Sequence, residues 1–153
     1  MLHQSLTVES LIGRYVADKA PSSPIDWVSI IRNGLPVQVI ESVTKATHLT
    51  QAELVRSLGM AERTILRRKK ASVSKPDTKL TPDETARMLR FARIAEAAGR
   101  TFEDDELALT WLRQPNSALA GNRPLDLLDT DLGAEFVIDT LEQIAQSAQA
   151  ARS

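Results

Sequence analysis

Apolar residues along this chain recur mostly at spacings of three and four, which is typical of amphipathic helices. Near the C-terminal end such residues repeat as on one face of a helix, and Thr130 or Asp129 can cap that helix with a side-chain oxygen. The pattern predicts an all-α protein of about seven or eight helices. The C-terminal repeat comprises Leu125, Leu128, Leu132, Phe136, Val137, Leu141 and Ile144.

Proline, glycine and β-branched residues divide the N-terminal half. Residues 6–18 predict an amphipathic helix that covers the next unit or makes a dimer contact. Pro24 opens a second helix, and Gly34 is expected to end it. A third short helix follows, although the β-branched run from Val37 to Ile40 is equally typical of a strand.

Further along the chain, Thr81 and Glu84 form a capping box that opens a long helix, which Gly99 is expected to end. Phe102 or Asp104 begins the following helix. The tail from Ala145 to Ser153 has little apolar content and is expected to fray.

Residues 50–70 (TQAELVRSLGMAERTILRRKK) predict two short helices joined by a turn at Gly59. Thr50 and Glu53 are expected to form a capping box. This is the layout of a helix-turn-helix, whose second helix enters the major groove of DNA, and it resembles the Xre or phage-repressor type. Arg68 departs from that type, because it stands where an apolar residue is usual. Its stem is expected to pack while its head reaches outward.

The second helix of this motif carries the candidate DNA contacts. Arginine can bond a guanine edge with two hydrogen bonds, while lysine and threonine more often contact phosphates. A solvated basic helix end is the alternative, because the helix dipole also favours cations there. The candidates are Glu62, Arg63, Thr64, Arg67, Arg68 and Lys70.

The chain is nearly neutral, with a formal net charge of −1, but its charges are segregated. Residues 56–79 contain eight basic and two acidic side chains, a net of +6. Residues 103–142 contain ten acidic and two basic side chains, a net of −8. The asymmetry predicts two regions with different partners, of which the basic one faces phosphate.

Residues 111–144 hold a second motif, in which a loop with Pro115, Asn116, Gly121 and Pro124 lies between two helical patterns. With Trp111, Leu125, Asp129, Gly133 and Val137 in the same order, it resembles the C-terminal domain of the Xre/MbcA/ParS antitoxin family. The resemblance implies an antitoxin that binds a RES-type, NAD-consuming toxin and blocks its active site. Its expected contacts are Asn116, Leu119, Arg123, Asp126, Asp129, Asp131 and Glu135.

Catalytic chemistry is not indicated. There is no cysteine, no Gly-rich phosphate loop and no Ser/His/Asp set. His3 and His48 lie in unrelated segments, and the acids at 103–106 are more typical of a helix start than of a metal site. We therefore predict no enzyme activity, no metal and no cofactor. Neither a secretory signal nor a membrane-length apolar run is visible, so a cytoplasmic protein is expected.

These patterns together predict three segments. Residues 1–22 form an N-terminal helix with a possible dimer contact, residues 23–80 the helix-turn-helix domain, and residues 81–153 a connecting helix and the toxin-binding domain. The expected partners are a RES-type toxin and operator DNA, bound by a homodimer that represses its own operon. The alternative is a transcription regulator whose C-terminal domain only dimerises or binds a small ligand.

Overall fold

The computed structural model describes residues 6–16 and 21–152, which fold into eight α-helices and three short 3₁₀ helices. No strand occurs among these residues, so the predicted all-α fold is confirmed. The 3₁₀ helices are Gly13–Tyr15, Ser117–Leu119 and Pro124–Leu127. The α-helices are α1 (Val8–Ile12), α2 (Pro24–Asn33), α3 (Val39–Thr47), α4 (Gln51–Ser57), α5 (Glu62–Ser74), α6 (Pro82–Phe102), α7 (Asp105–Arg113) and α8 (Asp131–Arg152).

Short polar side chains define several helix starts, as the sequence predicts. The predicted capping box at the start of α6 is formed, with Thr81 and Glu84 exchanging both bonds. Asp104 caps α7 by accepting a backbone N–H. Thr130 caps α8, because its hydroxyl accepts the N–H of Gly133 at 3.0 Å. Each cap satisfies a backbone donor that the helix itself leaves unpaired.

The buried apolar side chains form one continuous cluster that spans both halves of the chain. Helix α6 connects the halves, since it packs against α1 and α2 on one side and α7 and α8 on the other. Phe91 and Ile94 lie fully buried near its middle. Most interior residues that the sequence indicates are buried, namely Ile40, Leu54, Leu58, Ile65, Leu125, Leu128, Val137 and Leu141. Trp27, Ile30 and Trp111, which were also expected in the interior, are only partly buried and pack against this core.

Helix α1 covers the DNA-binding half. Leu11 and Ile12 are fully buried, and the helix packs against α3 and α6. This is one of the two roles expected for the N-terminal segment, and the dimer contact stays a prediction. The helical segment ends at Tyr15. Residues 17 and 18 of the predicted helix, like His3, lie outside the described residues.

The segment that was expected to form either a third helix or a strand forms helix α3. Val37 precedes α3, and its N–H donates to the carbonyl of Thr78 at 3.0 Å. The Leu80 N–H likewise donates to the carbonyl of Leu35 at 2.8 Å. The connector between α5 and α6 is therefore bonded to the segment that leads into α3.

Two predicted helix ends are wrong. Gly99 does not end α6 but lies buried inside it, and the helix ends before Glu103, which takes a left-handed φ of 53°. A buried glycine inside a helix is typical of close packing with a neighbour. Residues 145–152 continue α8 instead of fraying, because alanine and glutamine favour the helix. Ser153 lies outside the described residues.

Candidate functional site

The helix-turn-helix is formed as predicted. Helices α4 and α5 meet at Gly59, whose φ of +69° lies in the left-handed region that glycine favours. The N–H of Met60 donates to the carbonyl of Val55 at 3.0 Å and closes the turn. Leu54, Val55 and Ile65 are buried between the helices and the rest of the core. Helix α5 is thereby held on the surface with its outer face accessible.

Three basic side chains lie on the outer face of α5. Arg63, Arg67 and Lys70 are exposed, and their spacing of four and three residues places them along one stripe of the helix. Glu62 is also exposed, and Thr64 is half-buried. This stripe places positive charge on the accessible face of α5, as contact with DNA phosphates and base edges requires.

Arg68 is turned away from that stripe. Its guanidinium forms an ion pair with Glu84 at the start of α6, and 21% of its side chain is exposed. The expected outward position of its head is therefore wrong. The carboxylate of Glu84 lies across the helix interface and supplies the partner that an inward-facing arginine needs. Arg68 is thus committed to an ion pair that joins α5 to the start of α6.

Helix α6 also holds the turn of the helix-turn-helix. Nη1 of Arg87 donates to the carbonyls of Leu58 and Gly59 at 2.8 and 2.9 Å, and Nε of Arg87 lies 3.1 Å from Asp83. Sequence reasoning missed Arg87. The signal available was the run of arginines at three-residue spacing on α6, Arg87, Arg90 and Arg93, opposite its apolar face.

The next arginine of that run contacts the C-terminal unit. Nη1 of Arg90 donates to the carbonyl of Leu128 at 3.0 Å, and Nη2 pairs with Asp131 at the start of α8. One face of α6 therefore bonds the helix-turn-helix through Arg87 and the C-terminal unit through Arg90. Through α6, these bonds connect the turn of the helix-turn-helix to the start of α8.

Glu53 on α4 provides a second link between the halves. Its carboxylate lies 2.8 Å from Nη2 of Arg113 and 3.6 Å from Nη1 of Arg123. The predicted capping box is therefore only half formed. Thr50 accepts the Glu53 N–H at 3.0 Å, but the acid turns to the two arginines instead of the helix start. The carboxylate gains a hydrogen-bonded ion pair with Arg113 and a second ion pair with Arg123, in place of the single backbone N–H that a capping box offers.

The loop between α7 and α8 is closed by its own side chains. Oδ1 of Asn116 accepts the N–H of Ala118 at 2.9 Å, as expected for a turn residue. The Gly121 N–H donates to the Asn116 carbonyl at the same distance. Leu119 is only 6% exposed, so its side chain packs inside this loop, and its contact with a toxin stays a prediction.

Arg123 and Asp126 form a bidentate pair at 2.9 Å on the 3₁₀ helix that leads into α8. The hydrogen bonds from Arg123 hold the pKa of the Asp126 carboxyl below its ordinary value, although partial burial opposes the shift. The same bonds raise the pKa of Arg123. Both groups are thus charged at neutral pH, and Asp126 remains on the surface.

The start of α8 presents an acidic surface. Asp129, Asp131 and Glu135 are exposed there, as the resemblance implies for a contact face. Leu132 and Phe136, part of the C-terminal apolar repeat, are also exposed. The side of α8 that faces the core includes Val137 and Leu141, which the periodicity indicated. It also includes the smaller residues Gly133, Ala134 and Thr140, which the periodicity did not indicate.

Within residues 6–16 and 21–152, no group of three or more His, Asp or Glu side chains is placed to hold a metal ion. The acidic run at 103–106 instead starts α7, where Asp104 accepts the Leu107 N–H at 3.0 Å. In the part of the chain that the structure describes, no helix is long and apolar enough to cross a membrane.

Comparison with known proteins assigns both halves. Residues 26–93 match the antitoxin Xre-like helix-turn-helix domain, and residues 97–146 match the antitoxin Xre/MbcA/ParS C-terminal toxin-binding domain. Antitoxin Xre of Yersinia enterocolitica is 33% identical over 118 residues, 76% of each chain. The Prs ADP-ribosylating antitoxin of a Sphingobium species is 32% identical over 136 residues, 83% of this chain and 82% of the relative. This chain belongs to the Xre/MbcA/ParS family of antitoxins, with a DNA-binding helix-turn-helix domain and a toxin-binding domain.

Proposed function

We propose that this antitoxin neutralises a RES-type toxin by covering its active site, so that NAD is no longer consumed. The observation that carries the proposal is the exposed acidic start of α8, which lies within the matched toxin-binding domain. An acidic surface is attracted to a pocket that binds an anionic cofactor. In this proposal the chain acts by binding, without catalysis of its own, in the cytoplasm where its DNA lies.

The contact surface that we propose follows the exposed groups. Asp126, Asp129, Asp131 and Glu135 face the toxin, while Asn116 and Arg123 hold the loop and the 3₁₀ helix that present them. Leu119 lies inside the loop and is not part of the contact surface that we propose. Such a division is typical of interfaces, in which a rigid support presents a few contacting side chains.

We further propose that a homodimer represses its own operon. A single helix-turn-helix reads a short half-site, and dimers pair two of them one helical turn apart. Arg63, Arg67 and Lys70 supply the contacts to operator DNA. Residues 23–80 carry this activity, and residues 81–153 carry the toxin contact.

An NAD assay with the toxin encoded beside the antitoxin gene tests neutralisation. The full chain at a twofold molar excess should abolish NAD loss, while an unrelated helix-turn-helix protein leaves it unchanged. Undiminished NAD loss would contradict the proposal and leave the alternative, a regulator whose C-terminal domain only dimerises or binds a small ligand.

The Sphingobium relative is named Prs ADP-ribosylating antitoxin. This name favours a second candidate partner, a toxin that transfers ADP-ribose to a protein. Both toxin classes consume NAD, so NAD loss alone does not separate them. Labelled NAD does, because only a transferase leaves the ADP-ribosyl label on protein. We expect soluble products for a RES-type toxin, and labelled protein would assign the chain to the other class.

A further inference from the structure

Two large apolar side chains on α8 face away from the core. Leu132 is 62% exposed and Phe136 is 54% exposed, while Gly133 and Val137 beside them are buried. A spacing of four residues places the two side chains next to each other on the helix surface. Single exposed apolar residues are normal, but an adjacent leucine and phenylalanine on a polar helix are typical of an interaction site.

Carboxylates surround this apolar pair. Glu135 and Asp139 are exposed on the same helix, and no lysine, arginine or histidine occurs between Arg123 and Arg152. Asp131 already pairs with Arg90. Glu135 and Asp139 have no ion pair among the described residues, so their charge is available to a partner. We call Leu132, Glu135, Phe136 and Asp139 the α8 patch.

The backbone beneath the α8 patch is held in place. A Cβ atom on Gly133 would collide with the carbonyl oxygen of Leu127, so the first turn of α8 lies directly on the preceding 3₁₀ helix. Thr130 caps that turn, and Arg90 bonds the Leu128 carbonyl at 3.0 Å. A surface fixed in this way loses little conformational freedom on binding.

We propose that the α8 patch is the main affinity anchor for the toxin, with Leu132 and Phe136 inserted into an apolar pocket rimmed by lysine or arginine. The inference rests on the proposed function, because it takes the partner to be a toxin. The patch lies within the matched toxin-binding domain, and its charge requires a basic rim. Buried apolar anchors supply most of the binding energy at interfaces, while flanking charges mainly raise the association rate.

A second copy of the chain offers a surface similar to the proposed toxin pocket, because its α5 combines exposed Leu66 and Val73 with basic side chains. A contact between α8 of one copy and α5 of another would cover the stripe that faces DNA. We expect instead that the α8 patch is open to the toxin while α5 is bound to the operator. The test below separates the two occupants.

The experiment compares full-length wild type with the double variant Leu132→Ala, Phe136→Ala. Ile25→Ala is the matched control, since Ile25 is 71% exposed on α2 in the other half of the chain. Toxin affinity is measured by calorimetry, operator affinity by gel shift, and the mass of the free antitoxin by light scattering. The double variant should bind the toxin about 100-fold more weakly. Its operator affinity, mass and melting temperature should equal those of wild type.

A second variant, Glu135→Gln with Asp139→Asn, tests the basic rim. We expect its association rate to fall about tenfold at low salt and its salt dependence to flatten, because charge steering is screened by ions. An apolar double variant that keeps toxin affinity within threefold of wild type would overturn the inference. A double variant that only loses dimer mass would assign the patch to a second copy. Wild type that fails to bind the toxin would overturn the proposed function itself.

Discussion

Glu53 on the first helix of the helix-turn-helix lies 2.8 Å from Arg113 in the toxin-binding domain. The two residues are 60 positions apart in sequence, and Arg123 approaches the same carboxylate from the loop before α8. The contact joins the DNA-binding half to the toxin-binding half through charged groups that are partly shielded from water. Its contribution to the free energy of unfolding can be measured by removing the charge of Glu53.

Glu53→Gln should lower the free energy of unfolding by about 1–2 kcal/mol, since two charge-assisted contacts are weakened in a partly shielded site. Glu41→Gln is the matched control, because Glu41 pairs with Lys45 on the open surface of α3. It should change stability by less than about 0.5 kcal/mol. Urea unfolding of both variants checks the difference, and equal losses would contradict the role of Glu53.

Gly59→Ala tests the contact between Arg87 and the turn of the helix-turn-helix. A Cβ atom there would lie 2.7 Å from Nη1 of Arg87 and 3.1 Å from Cβ of Asp129, in addition to the strain of a left-handed φ. We expect a loss of about 2–3 kcal/mol. Gly121→Ala isolates the strain, because Gly121 has a φ of +82° and no atom within 4 Å of an added Cβ. It should cost only about 1 kcal/mol. Thermal unfolding measures both losses, and equal values would exclude a contribution from Arg87.

Arg63→Ala and Arg67→Ala should each weaken operator binding by about 1–3 kcal/mol where the side chain bonds a base edge. Arg100→Ala is the control, because Arg100 lies about 24 Å further along α6 than Glu84, which pairs with Arg68 of α5. Gel shifts with promoter DNA at two salt concentrations measure the effect. Unchanged affinity in the Arg63 and Arg67 double variant would remove α5 as the recognition helix.

The bond between Arg123 and Asp126 makes a pH-dependent contribution to stability. Because the pKa of Asp126 is lowered in the folded chain, the contribution is present at neutral pH and is lost as pH falls below about 4. The pair is partly exposed, so the amount is below about 1 kcal/mol. Asp126→Asn should be less stable than wild type at pH 7, and the difference should shrink as pH falls below about 4. Asp139→Asn is the control, because it removes a charge from an exposed side chain that has no ion pair among the described residues, and it should change the free energy of unfolding little.

Gly133→Ala should destabilise the chain by about 1–3 kcal/mol, although alanine favours helices by about 1 kcal/mol over glycine. The reason is the collision of the added Cβ with the Leu127 carbonyl, which would displace the start of α8. Gly13→Ala is the control, since its Cβ would meet only the flexible Glu9 side chain at 3.1 Å. Calorimetric unfolding of both variants distinguishes the contact from the loss of a glycine in general.

Local signals predicted the helices well. Thr81, Asp104 and Thr130 mark helix starts through bonds to residues three positions away, so neighbouring sequence contains all the information needed. Glu53 shows where this fails, because its distant partners on α7 and the following loop outcompete the local cap. Arg87 was missed for the same reason. The spacing of arginines on α6 marks Arg87 as a candidate, but its acceptors are backbone carbonyls, which that spacing does not identify.

The C-terminal apolar repeat shows a second limit. Spacing places Leu132 and Phe136 on a helix but does not say which side of the helix meets the core. Gly133 and Ala134 take the buried side, because close contact with the preceding 3₁₀ helix leaves room only for small residues. The larger side chains Leu132 and Phe136 therefore lie on the surface, beside Asp131 and Glu135, which the resemblance implies as toxin contacts.

The continuous core through α6 affects how the antitoxin is turned over in a cell. A protein with one core unfolds as a unit, and protease attack on the opened chain follows its global unfolding free energy. Bound toxin at 100 times its dissociation constant adds about 2.7 kcal/mol to that free energy. The added protection extends to the DNA-binding helices, although the toxin need not contact them. Under the proposed function, the lifetime of this DNA-binding antitoxin therefore rises with the concentration of the toxin that it binds.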